Sequence, residues 1–180
     1  MSGTEEEVGG EPVDEIAKIA GPIGGLWVAY NDHGIAGAGF ANLKTFARFR
    51  EEHHDRTGRP SALADAMPDD LFEAIEHSFN TGDRSALTFD LRGATPFQVS
   101  VWEACLTIPA GKTRTYADLA RSVRRPNAVR AVGTALGANP IPVLIPCHRV
   151  LRTDGSLGGY AFGLPIKERL LDREAVRAAA

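Results

Sequence analysis

With 180 residues, 43% of them hydrophobic and 24% charged, the chain has the make-up of an ordinary globular protein with one good core or two small ones. Two cysteines allow at most one disulfide, which excludes a disulfide scaffold, and no stretch reads as a membrane span or a signal-peptide core. The formal net charge of -3 hides an opposition, because residues 1–90 carry 17 acidic and 7 basic side chains whereas residues 91–180 carry 6 and 13.

In chain order, MSGTEEEVGGEPVDE opens the sequence as an acidic, glycine-containing stretch, read as a disordered tail over residues 1–13. Without an export signal, a reducing cytoplasm and two free thiols are expected. IAKIA (16–20), LWVAY (26–30) and GIAGAGF (34–40), separated by the turn chemistry of GPIGG and NDHG, predict an antiparallel meander. NLKTFARFREEHH (42–54) and PDDLFEAIEHSF (68–79) have helical spacing and should cover that sheet, with His53 and His54 at a solvated helix end. LTFDL (87–91) is one more extended segment. A linker is placed near 80–95, dividing an N-terminal scaffold (14–90) from a second unit (93–177). No CxxC or HExxH spacing occurs, so no metal site is expected.

TPFQVSVWEACLTI (95–108) starts a helix at Thr-Pro and carries an apolar stripe of Phe97, Val101, Trp102, Cys105 and Ile108, which makes Cys105 a small buried hydrophobe. PAGK is a turn and TYADLARSV (115–123) a short helix. RRPNAVRAVGTALGAN (124–139) is a turn and a further helix, giving a helix-turn-helix. Between Lys112 and Arg152, eight basic residues face one acid, Asp118, the balance a polyanionic partner needs. In the last helix Val129, Val132 and Leu136 should face the core and leave Arg130, Ala131, Thr134 and Ala138 outward. That slim face with one long side chain suits a minor groove better than a major one.

NPIPVLIPCHRV (139–150) has three prolines and is read as extended. Cys147 is the candidate nucleophile, since His148 and Arg149 supply the imidazole and cation that lower a thiol's pKa. In an extended chain, however, neighbouring side chains diverge, so His148 would need a bend or a bridging water to reach it. LPIKERLLDREAV (164–176) is a helix on which Ile166, Leu170 and Glu174 share a side, so Glu174 is preferred over Glu168 as the carboxylate that orients His148.

TPFQVSVWEACLTIPAGKTRTYADLA, RPNAVRAVGTALGANPIPVLIPCHRV and GSLGGYAFGLPIKERLLDRE together resemble the O6-alkylguanine-DNA alkyltransferases. The resemblance runs almost without gaps from about residue 93 to 174 and rests mainly on GPIGGLWVAYNDHGI before that. It implies an α+β fold: a small N-terminal antiparallel sheet with helices, then a winged-helix-like helix-turn-helix unit carrying the active-site cysteine. It further implies a single-turnover DNA-repair protein that flips an alkylated guanine from the duplex through the minor groove and moves the O6-alkyl group to Cys147.

By the same resemblance His148 is a base acting through water, Glu174 orients it, and Tyr116 protonates the departing guanine and crowds the phosphate. Arg130 fills the vacated stack, and Asn139 links the recognition helix to the active-site segment. Arg130, Ala131, Thr134, Asn139 and Arg149 are grouped as DNA-binding, and Tyr160, Ala161, Phe162, Leu136 and Pro142 as the substrate pocket. No cofactor, no obligate protein partner and a monomer are implied, in the cytoplasm or with the nucleoid in a bacterium. Phe162 stands where some members have a small residue, which implies slower reaction with O6-benzylguanine than with O6-methylguanine. The rival readings are a non-catalytic protein that recognises alkylated DNA, a class that replaces the acceptor cysteine, a winged-helix regulator, and a cysteine hydrolase.

Overall fold

The computed structural model describes residues 13–178, with side chains described as far as residue 175. Of the acidic tail only Val13 falls within that range; residues 1–12 lie outside the described residues. The meander forms as expected: β1 (Asp14–Gly21), β2 (Gly24–Asn31) and β3 (Gly34–Phe40) pair antiparallel, with Ile16 opposite Ala29 and Ile19 opposite Leu26. A short β4 (Ser61–Leu63), without a signal in the sequence, adds in parallel to β1 and completes the order β3-β2-β1-β4.

Strand alternation gives the sheet two apolar faces. Ile16 and Ala29 pack on Phe49 of α1 (Phe46–Thr57), while Ala17, Ile19, Leu26 and Val28 join a larger core. That core takes in Ile75 of α2 (Asp69–Thr81) and continues through Val101, Trp102 and Cys105 of α3 (Pro96–Leu106). Cys105 is fully buried and free. Its environment pushes the thiol well above its ordinary pKa by burial, which leaves it an inert apolar filler.

His53 corrects the sequence reading. It is 3% exposed and hydrogen-bonds the equally buried Asp14 at 2.6 Å, whereas His54 is exposed as expected. Asp14 and Asp90 sit side by side, bridged by Arg59 at 2.9 Å to each and by the Asn31 amide at 2.8 and 2.9 Å. Burial raises the Asp90 pKa, but hydrogen bonds from Arg92 and Asn31 outweigh it and hold the carboxyl below its usual range. The 87–91 segment is docked there along the outer edge of β3, where Ile35 exchanges backbone bonds with Thr88 and Asp90. Further along the same edge the Ala38 N–H donates to the Pro140 carbonyl at 2.9 Å, so the N-terminal sheet grips the chain just ahead of Cys147.

Three helices open after a threonine that caps them, Thr45 ahead of α1 among them, and two of the three carry full capping boxes. Thr95 pairs with Gln98 ahead of α3, which has Pro96 in its first turn, and Thr115 pairs with Asp118 ahead of α4 (Tyr116–Ser122). After α4 the chain reverses through Arg124 at φ 57°, and the Arg125 N–H returns to the Ala120 carbonyl, which launches α5 (Val129–Gly137). The Trp102 indole N–H donates to the Ala135 carbonyl at 2.8 Å and seats α5 on α3.

Candidate active site

A two-residue ladder fixes the site. β5 (Arg114–Thr115) pairs in parallel with β6 (Val150–Leu151), so Tyr116, next after β5, is held beside the turn that precedes β6. That turn is a single 3₁₀ turn over Cys147–Arg149. The chain feeding it is not the extended segment that its prolines suggested. Residues 139–146 close into a compact loop, with the Ile145 N–H returning to the Ile141 carbonyl at 2.9 Å and Val143 at φ 73°. Proline forbids helix there but is equally content in a turn. A β-branched residue in the left-handed region costs about 1–3 kcal/mol, so the loop stores strain.

In a 3₁₀ turn successive side chains point about 120° apart. Cys147 faces a pocket of about 490 Å³ while His148 and Arg149 swing behind it to Glu174 on α6 (Leu164–Ala178). His148 Nε2 lies 2.8 Å from Glu174 Oε1, and Arg149 grips the same carboxylate from Nε and Nη2 at 2.9 and 2.8 Å. Its Nη1 donates to the Ile108 carbonyl at 2.5 Å. Arg149 is 1% exposed, which corrects its placement among DNA-binding residues. Burial works against the Glu174 carboxylate, yet the hydrogen bonds of His148 and Arg149 hold its pKa down to about 2.

Burial likewise pushes the fully buried His148 below the ordinary imidazole value, against the opposing bond to Glu174. The neutral ring then donates Nε2–H to the carboxylate and leaves a lone pair on Nδ1, an atom with no protein partner among the described residues. For Cys147 the sequence reading is corrected: burial raises its thiol pKa, and only partly do the Asn139 amide, 3.1 Å from Sγ, and the charge of Lys167 pull it back. A resting thiol of this kind needs a base to become a nucleophile.

Asn139 is also buried, at 7% exposure, which corrects its grouping with the expected DNA-binding residues. Its Nδ2 donates to the Ile145 carbonyl at 2.9 Å as well as to Sγ, and its Oδ1 accepts from the Ile141 N–H at 3.0 Å, so it ties the end of α5 to the Cys147 turn. Arg130, Ala131 and Thr134 are exposed on α5 as read from the sequence. Val129 is not a core residue: it is 39% exposed and stands with Arg130 at the pocket rim. The core face of α5 is Val132, Ala135 and Leu136. The basic residues between Lys112 and Arg152 are exposed, Arg149 excepted.

Of the expected pocket residues Leu136, Tyr160, Ala161 and Phe162 line the cavity, while Pro142 is buried in the loop away from it. Gly133, Gly137 and Arg152 also line it and were missed. Tyr116 reaches across to donate to the Gly159 carbonyl at 3.3 Å, and burial raises its pKa, so the phenol keeps its proton. Gly158 has φ 68°, and a Cβ there would stand 2.9 Å from the Tyr116 ring, so glycine is what lets loop and tyrosine approach. Lys167, fully buried, braces that loop from α6 by donating to the carbonyls of Val150, Leu157 and Gly159. No sequence pattern marked it.

Among the described residues no helix is long and apolar enough to cross a membrane, and no group of three or more His, Cys, Asp or Glu side chains is placed to hold a metal ion. Residues 96–176 match the family model of the 6-O-methylguanine DNA methyltransferase DNA binding domain. The chain is 46% identical over 116 residues to the bifunctional transcriptional activator/DNA repair enzyme Ada of Escherichia coli, a match covering 64% of this chain and 32% of that protein. It is 40% identical over 163 residues to the methylated-DNA–protein-cysteine methyltransferase of Mycobacterium bovis, covering 90% of this chain and 93% of the other. Among solved structures, that of Mycobacterium tuberculosis OGT in complex with DNA superposes with a TM-score of 0.69 at 34% identity, over 91% of this chain and 94% of the other.

Proposed function

The chain belongs to the methylated-DNA–protein-cysteine methyltransferase family, and from that premise we propose that it repairs DNA by moving the O6-alkyl group of a flipped guanine irreversibly onto Cys147. The observation that carries this reading is the acceptor arrangement: a buried, protonated thiol at a pocket floor, an amide donor on its sulfur, and a neutral imidazole whose tautomer Glu174 sets. His148 Nδ1 takes the thiol proton through one bridging water. The sulfur electron pair then attacks the alkyl carbon, the carbon–O6 bond breaks, and its electrons return to the purine. The Tyr116 hydroxyl leaves the Gly159 carbonyl and protonates the guanine as it departs, and the proton on His148 restores the phenol. Guanine leaves neutral and Cys147 keeps a thioether, so each molecule acts once and needs no cofactor.

Duplex DNA is the partner in this reading, held at the minor groove by Ala131 and Thr134 of α5 while Arg130 enters the stack. Residues 14–90 are the scaffold and residues 93–177 the acceptor unit. The protein acts as a monomer in the cytoplasm, or with the nucleoid in a bacterium. Intact-protein mass after incubation with a duplex carrying one O6-methylguanine tests it. A gain of one methylene on Cys147, absent in Cys147→Ser, is expected; no gain with binding retained would make this a recognition protein.

Pocket shape sets the substrate range. The Phe162 ring packs edge-on against Phe40 and Tyr160, with centroids 5.1 and 5.5 Å away, and narrows the wall. Phe162→Gly is expected to raise the rate with O6-benzylguanine about tenfold relative to O6-methylguanine. The lost aromatic contacts should cost about 2 kcal/mol of stability. Competition between the two free bases reads the ratio, and an unchanged ratio would show that this wall does not limit the larger group.

A further inference from the structure

The segment after α2, in the N-terminal part of the chain, sends one side chain into the acceptor loop. Arg84 Nη1 holds the carbonyl of its neighbour Gly82 at 2.8 Å, while Nε donates to the Leu144 carbonyl at 2.6 Å and Nη2 to the Val143 carbonyl at 3.3 Å. The guanidinium shares a cavity of about 180 Å³ with Val143, Arg149 and Glu174, so it approaches the acceptor turn from the side opposite the alkyl-guanine pocket.

What Arg84 grips is the strained part of the loop. Val143 is 3% exposed at φ 73°, and a branched residue stays in that region only where its surroundings leave it no alternative. The neighbouring groups are fixed by others: Pro140 by Ala38, Ile141 by Ile145 and Asn139, and the Ile145 carbonyl by Asn139. For the Val143 and Leu144 carbonyls the bonds are those of Arg84. One residue further on, the Ile145 carbonyl takes one N–H of the Asn139 amide whose Nδ2 also meets the Cys147 sulfur at 3.1 Å. Any relaxation of the turn is therefore passed in two steps to the nucleophile.

We propose that Arg84 is a positioning residue for alkyl transfer, clamping the 143–144 turn so that Asn139 and Cys147 meet in reactive register. This rests on the function proposed above. It also gives the N-terminal half a part in the chemistry, and it makes two claims: the loss falls on the rate and not on DNA binding, and it disappears once the turn is no longer strained.

The test is single-turnover transfer from an O6-methylguanine duplex, with Kd measured separately, in the full chain and in Arg84→Ala, Arg84→Lys, Val143→Gly and the Arg84→Ala/Val143→Gly double variant. Arg84→Ala should lower the rate at saturating DNA about 100-fold, the scale of a small misplacement of a reacting group, with Kd changed less than about twofold on the same reasoning. Arg84→Lys, able to reach one of the two carbonyls, should recover roughly a tenth of the wild-type rate on the same scale. In the double variant glycine accepts the positive φ unaided, so its rate should return to that of Val143→Gly alone. An unchanged rate in Arg84→Ala, a loss confined to Kd, or losses that multiply in the double variant would each overturn the proposal. Thermal melts establish which variants fold, and if Arg84→Ala does not, the same comparison is made with Arg84→Lys and its Val143→Gly partner. Should the wild type transfer no alkyl group, the proposed function fails, and Arg84 is still read from Cys147 alkylation by iodoacetamide without DNA. There the same loss and the same rescue are expected, and equal rates across the variants would overturn the positioning role.

Discussion

Replacing Glu174 with alanine should cost about 3–5 kcal/mol of stability, roughly 10 °C in Tm, and slow alkyl transfer about 100- to 1,000-fold. The stability loss follows from what remains: Arg149, at 1% exposure, and a fully buried His148 lose their shared carboxylate. Glu174→Gln separates the two effects. The amide oxygen still accepts from Arg149, so less stability is lost, but the NH₂ cannot accept from His148 Nε2. The imidazole proton then moves to Nδ1, the atom that takes the thiol proton in the proposed function, and the rate should fall nearly as far as with alanine. Thermal melts and single-turnover rates read the pair; a Gln variant that keeps wild-type speed would show that the tautomer is not set by this bond.

The same carboxylate sets an acid limit. Its folded-state pKa of about 2 lies below the ordinary 4.5, so its contribution of about 3 kcal/mol is fully present above pH 4.5 and lost as pH falls toward 2. His148, also depressed, contributes in the same sense: stability is intact above its ordinary 6.5 and declines as pH drops below it. Asp90 works in the acid window too, so the reading is the difference between wild type and Glu174→Ala, which should shrink between pH 4.5 and 2.

Arg130→Ala should slow transfer from duplex DNA about 100-fold while leaving reaction with free O6-methylguanine base nearly unchanged. Extruding a base costs a few kcal/mol, and about 2.7 kcal/mol of lost compensation corresponds to that factor. Arg130 is the second residue of α5 and stands exposed at the pocket rim, and in the proposed function it fills the stack that the guanine leaves. Salt dependence distinguishes this from a phosphate contact: a stack-filling arginine leaves the slope of log K against log salt unchanged, whereas a phosphate-binding one lowers it by about one on removal. Equal slowing with duplex and free base would place the defect in the pocket.

The meander, the α1 and α2 patterns and the start of α3 were legible because period-2 and period-3.6 alternation and a Thr-Pro helix start are local signals. Glu174 was legible too, since a carboxylate continuing the Ile166 and Leu170 stripe must face inward. Asn139 was misplaced because its partners, two to eight residues on, lie in a loop that its prolines made look extended. Arg149 was misplaced because it looks like a surface group by type and only a distant partner, Glu174 on α6, buries it. His53 hides in the same way behind Asp14, 39 positions away. Val143 gives no warning at all, because left-handed backbone is anticipated at glycine or asparagine and not at valine. Arg84 follows from Val143: the clamp was invisible because the strain was. Val129 fell on the core side by spacing alone, yet the first turn of α5 projects past the core edge.

The molecule has two tryptophans, and their settings differ. The Trp27 indole lies on the outer face of the sheet, bonded to the Lys44 carbonyl at 2.9 Å and tilted over Phe46. The Trp102 indole is 3% exposed and hangs from the Ala135 carbonyl of α5. Any tilt of α5 must stretch that bond and change the polarity felt by one excited state, while the other ring hangs from the Lys44 carbonyl and not from the helix. With Trp27 replaced by phenylalanine, the emission colour of Trp102 becomes a built-in gauge of how α5 is seated, readable in real time and without a dye.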